Sequence, residues 1–99
     1  MTTLINKRYI KEALRLMTMC SEAGVPFEVG AVYNGIIVCY PCYGKGRISD
    51  AVCHDSSYGR SNGNLELMGL TNDEDEVEGD LTAEEVFARW HKHYLENKE

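Results

Sequence analysis

The sequence predicts an α+β fold, a short antiparallel sheet of about four strands between an N-terminal and a C-terminal helix, in the order α-β-β-β-β-α. Three observations carry this. Apolar residues near each end recur at three- and four-residue spacing, the stretch after residue 26 alternates with period two, and Asn34-Gly35 separates two β-prone runs.

The first helix is predicted over residues 6–23. Ile10, Ala13, Leu14, Met17 and Cys20 fall on one face, and Lys7, Lys11 and Arg15 on the opposite one. Gly24 ends it, because glycine takes the left-handed conformation just past a helix end at no steric cost, and Pro26 opposes continuation. Phe27, Val29, Ala31 and Tyr33 then alternate up to Asn34-Gly35, and Ile36 to Tyr40 returns. Asn-Gly at that place predicts a type I′ hairpin, since both residue types tolerate positive φ. Pro41 and Gly44-Lys45-Gly46 end the second strand. Residues 49–54 predict a third strand and Leu65 to Leu70 a fourth, joined by a loop rich in Ser, Gly and Asn. Residues 72–80 hold six carboxylates without apolar periodicity and are predicted to form a solvated, mobile connection. Thr82-Ala83-Glu84-Glu85 has the capping-box form and opens the last helix, whose stripe is Val86, Trp90 and Tyr94 with Ala83 and Phe87 alongside.

Ninety-nine residues suffice for one domain with a single core, and 43% hydrophobic with 26% charged residues is an ordinary globular balance. No apolar run approaches the roughly 20 residues that cross a bilayer, and the first residues lack an apolar signal core, so a cytoplasmic protein is expected. In that compartment the four cysteines are expected to stay thiols. The net charge of -6 is concentrated late: residues 61–99 hold three Lys or Arg against eleven Asp or Glu. Direct nucleic-acid binding is disfavoured, because neutralising phosphates requires cations. A basic surface on a partner protein fits the charge better.

Cys39-Tyr40-Pro41-Cys42 has the spacing of a redox pair or of half a zinc site. A redox pair needs a helix N-terminus to lower a thiol pKa, whereas Tyr43-Gly44-Lys45-Gly46 predicts a loop. A zinc site would need Cys53 or His54, with His91 or His93, to join the pair; adjacent strand residues point to opposite faces, so Cys53 and His54 cannot both do so in a regular strand. Cysteines as small buried hydrophobes are the leading reading, with no metal and no cofactor, and a small zinc-stabilised nucleic-acid binder using Cys39 and Cys42 is the alternative. His54, Asp55 and Ser57 include the residue types of a catalytic triad, but adjacency in sequence does not create triad geometry, and the stretch reads as a turn. No catalytic residue is expected. Tyr58, an aromatic in a polar loop, and the acidic run Asp73, Glu74, Asp75 and Glu76 are the candidate protein-binding residues. Pairing of two copies through an uncovered sheet face or edge is left open.

Asp50-Ala51-Val52 with His54, Ser57-Tyr58-Gly59, Leu65-Glu66 with Met68-Gly69, then Val77, Gly79, Leu81-Thr82 and Glu85-Val86 form a pattern. On these residues the chain, from about 27 to 94, resembles short uncharacterised proteins of phages and prophages of Gram-positive bacteria. The resemblance implies an accessory protein made inside a bacterial host, where small acidic proteins act by occupying host or defence proteins. The expected function is therefore non-enzymatic binding of a host protein, with inhibition of a nuclease or another nucleic-acid-binding protein as one specific form.

Overall fold

A computed structural model describes residues 7–71 and 76–98. Helix α1 (Lys7–Ala23) is followed by five strands, β1 (Glu28–Val32), β2 (Gly35–Tyr40), β3 (Ser49–Cys53), β4 (Leu65–Met68) and β5 (Val77–Leu81), and by helix α2 (Ala83–Asn97). The strands form one antiparallel meander in the order β1-β2-β3-β4-β5. The sheet therefore has five strands where four were expected. The added strand, Val77–Leu81, overlaps the 72–80 stretch that was expected to be a mobile connection. Its one large charged side chain on the helix side, Glu78, is neutralised there by Arg89 of α2, at 2.5 and 2.8 Å.

The hairpin forms one residue earlier than Asn34-Gly35 predicts. Tyr33 and Asn34 have the positive φ values, 43° and 63°, and Gly35 is the first residue of β2, closing the turn opposite Val32. Gly35 serves another purpose: a Cβ there would strike the carbonyl oxygen of Cys53 on β3, so glycine permits a close approach of backbones.

Both helices lie on one face of the sheet. Ile36, Val38 and Tyr40 of β2, Ala51 and Cys53 of β3, Leu65 and Leu67 of β4 and Leu81 of β5 meet Ala13, Leu16 and Cys20 of α1 and Val86 and Trp90 of α2 in one core. The buried stripe of α1 is Tyr9, Glu12, Ala13, Leu16 and Cys20, rotated from the expected Ile10, Leu14 and Met17; Leu14 is 52% exposed. Polar bonds explain the rotation. The Tyr9 hydroxyl donates to Asp55 at 2.8 Å, and the Glu12 carboxylate accepts the Ala83 amide at the start of α2 at 2.9 Å and bonds from Arg15 at 2.8 and 2.9 Å.

The expected helix ends are present. Gly24 has φ of 74°, and the Val25 amide reaches back to the Cys20 carbonyl at 2.9 Å. At α2 the capping box is complete, Thr82 and Glu85 each accepting the other's backbone amide. Trp90 is fully buried with its indole N–H on Ser49 Oγ at 2.9 Å, its ring stacked on Tyr40 at 5.5 Å, and the Tyr40 hydroxyl is 2.8 Å from His93 Nδ1. No described helix is long and apolar enough to cross a membrane.

Candidate functional site

No described helix covers the opposite face of the sheet. Alternation along the paired strands sends Glu28, Gly30 and Val32 of β1, Ile37 and Cys39 of β2, Asp50 and Val52 of β3, Glu66 and Met68 of β4, and Val77 and Gly79 of β5 to this side. Its centre is apolar: Ile37, Cys39 and Val52 form a small buried cluster flanked by Val32.

Two loops lay a tyrosine over this face, and both use the same device. Each edge strand offers a glycine against the tyrosine, and each tyrosine's amide is bonded to a glutamate. Tyr43 lies over Gly30, where a Cβ would come within 2.5 Å of its ring, and its amide donates to Glu28 Oε1 at 2.8 Å. Tyr58 lies over Gly79, where a Cβ would overlap the tyrosine Cβ, and its amide points at Glu66 Oε1 at 3.4 Å. Glycine leaves room at both places, where the edge of the Tyr43 ring and the Cβ of Tyr58 take the volume a side chain would fill. Tyr58 remains 67% exposed and Tyr43 46%, so both rings present area to a partner.

Around the apolar centre stand the carboxylates of Glu28, Asp50 and Glu66. Arg47 lies among them; its guanidinium is 3.3 Å from Cys39 Sγ, 3.9 Å from Asp50 Oδ2 and 5.5 Å from the Tyr43 ring centre. Burial pushes the Asp50 carboxyl above its usual range; Arg47 opposes the rise and neighbouring Glu66 adds to it. At one end Tyr33 meets His54 edge to face at 5.2 Å.

The sequence-predicted residues distribute unevenly. Tyr58 belongs to the face as described. Asp73, Glu74 and Asp75 lie outside the described residues, and Glu76 is exposed just before β5. His54 and Ser57 do not form a nucleophile pair: Ser57 Oγ accepts the His54 amide at 2.9 Å and donates to the His54 carbonyl at 3.0 Å, while His54 Nδ1 accepts the Ser56 amide. Asp55 is bonded to Tyr9 and Asn34 instead of to the imidazole. These contacts staple a turn.

Cys39 lies in the cluster on the open face and Cys53 in the core on the helix face, so the sheet separates them. Cys42 is bonded to the Lys45 carbonyl at 3.3 Å, and no group of three or more His, Cys, Asp or Glu among the described residues is placed to hold a metal ion. Burial pushes the Cys20 thiol up to about 12 and the Cys53 thiol to about 11, and it raises Cys39 against the opposing pull of Arg47. All three are packed as thiols.

Glu28, Tyr43, Asp50 and Glu66 escaped the sequence reading as site residues. The available signal was a glycine inside each of two predicted or potential strands, which marks a close approach by another group; only the fold shows that the group is a tyrosine. Comparison of the chain with protein-family models, with curated proteins and with solved structures finds no match.

Proposed function

We propose that the protein is a non-enzymatic accessory protein of the phage type that binds a host protein through the open face of its sheet. The observation behind this reading is the pair of exposed tyrosines, each seated on a glycine, with Asp50, Glu28 and Glu66 between and beneath them. Tyrosine gives a large, stiff contact area at small entropic cost, and aromatic anchors dominate interface energetics. The carboxylates of Glu28, Asp50 and Glu66 favour a basic partner surface, in keeping with the net charge of -6. Basic surfaces are what nucleic-acid-binding proteins present, so a host nuclease or another such protein is the partner class, and counter-defence is the role that follows.

The test is affinity capture of the tagged chain from its bacterial host, with salt elution. The expected result is a stoichiometric basic protein released by salt from the native chain and lost, by tenfold or more in affinity, from Tyr43→Ala/Tyr58→Ala. A partner that binds the double variant equally well would overturn the proposal. Reversal of Asp73, Glu74, Asp75 and Glu76 to lysine measures the separate share of the acidic run.

A further inference from the structure

The two edges of the sheet are built differently. On β5 the ladder to β4 shifts register, Asp80 takes a positive φ of 60°, its amide donates to the Tyr58 carbonyl at 3.3 Å, and its carboxylate accepts from Asn64 at 2.9 Å. A bulged edge already bonded to its own loop is a poor template for another strand. Among the described residues none of these guards is present on β1. Glu28–Val32 pairs with β2 in unbroken register and contains no proline, lysine or positive-φ residue.

The turn at Tyr33-Asn34 makes Val32 and Gly35 a bonded pair, and alternation from that pair directs Val32, Gly30 and Glu28 toward β2. The amides and carbonyls of Val29 and Ala31 then point away from the sheet. Among the described residues no backbone bond outside the ladder reaches either of them. Their side chains, on the helix side, are also uncovered, with Val29 44% exposed.

We propose that β1 pairs with β1 of a second copy of this chain, antiparallel about a two-fold axis at Gly30, joining two five-stranded sheets into one. The strand is self-complementary in this register. Val29 of one copy stands opposite Ala31 of the other, so each exposed apolar side chain gains an apolar neighbour. Glu28 stands opposite Val32, so the strand's single charge faces no like charge. Gly30 meets Gly30 on the open side, where each copy's Tyr43 lies, and the two tyrosine-bearing faces become continuous. An isologous contact of this kind closes at two copies and leaves both β5 edges outside.

The experiment is the molar mass of the full chain by sedimentation from low micromolar to near-millimolar concentration, with amide hydrogen exchange read at Val29 and Ala31. The expected mass rises to twice that of one chain, and exchange at these two amides slows over the same range while other strand amides are unchanged. Ala31→Pro removes an outward N–H without removing a bond to β2 and is expected to stay a single chain with native circular dichroism. Should that variant not fold, the exchange measurement on the native chain decides. A native chain that stays single throughout, or a dimer whose Val29 and Ala31 amides exchange freely, overturns the proposal. Both readouts are independent of the host partner.

Discussion

At Glu12 a carboxylate sits in the joint between the helices, accepting the Ala83 amide and two bonds from Arg15, while Arg15 also pairs with Glu84. Burial alone would raise its pKa; the Ala83 amide and the Arg15 guanidinium outweigh burial, and the carboxyl is held below its usual range. A depressed carboxyl contributes stability that is complete above its unfolded pKa and is lost as pH falls through the folded one. Glu12→Ala should therefore cost about 1–3 kcal/mol at neutral pH, since it leaves the buried Ala83 amide without its acceptor. Urea denaturation at several pH values checks this, and the gap from the native chain should narrow in acid. Asp50 has the opposite sign. Its raised carboxyl makes the folded state hold its proton longer than the unfolded chain, so stability declines as pH rises between the two values. Asp50→Asn should raise the melting temperature of the free protein at neutral pH while weakening capture of a basic partner. Neither role was legible in the sequence: Glu12 reads as a surface residue of a helix, and its partner lies 71 positions away.

Among the elements, the helices were the most legible because their signals are local. The Gly24 stop and the Thr82 capping box need only neighbouring residues, and both are present. Thr82→Ala should cost about 1 kcal/mol, seen as a shift in the denaturation midpoint. The hairpin was legible in kind but displaced by one residue, because the glycine that marks a turn here answers to the Cys53 carbonyl on the next strand. Strand β5 was hidden because Glu78 carries the look of the acidic run and its neutralising arginine comes from α2. The two edge glycines separate by the same kind of argument. Gly79→Ala would collide with the Cβ of Tyr58, which cannot swing away without moving its backbone, and is expected to destabilise by about 1–3 kcal/mol. Gly30→Ala meets the far edge of the Tyr43 ring and, less closely, the Ile37 Cγ2 methyl, side-chain atoms that can shift, so its cost in the same denaturation series should be smaller.

Across the whole molecule, a helix-covered face provides the core and leaves the other face to carry tyrosines and carboxylates. Period-two alternation predicts that a sheet has two faces; it does not say which loops fold back over the second one. That is why Tyr58 could be singled out as an aromatic in a polar loop while Tyr43, which follows a cysteine motif, could not. The division of labour predicts that changes to the exposed side chains of the open face affect binding with little loss of stability, whereas changes in the joint between helices do the reverse. Hydrogen exchange of the full chain with and without its captured partner tests this most directly. Binding should slow exchange in the Tyr43 and Tyr58 loops and in β3 and β4 beneath them, with α1 and α2 unchanged on their outer faces. Slowed exchange confined to the outer faces of the two helices, with both tyrosine loops unaffected, would contradict the account.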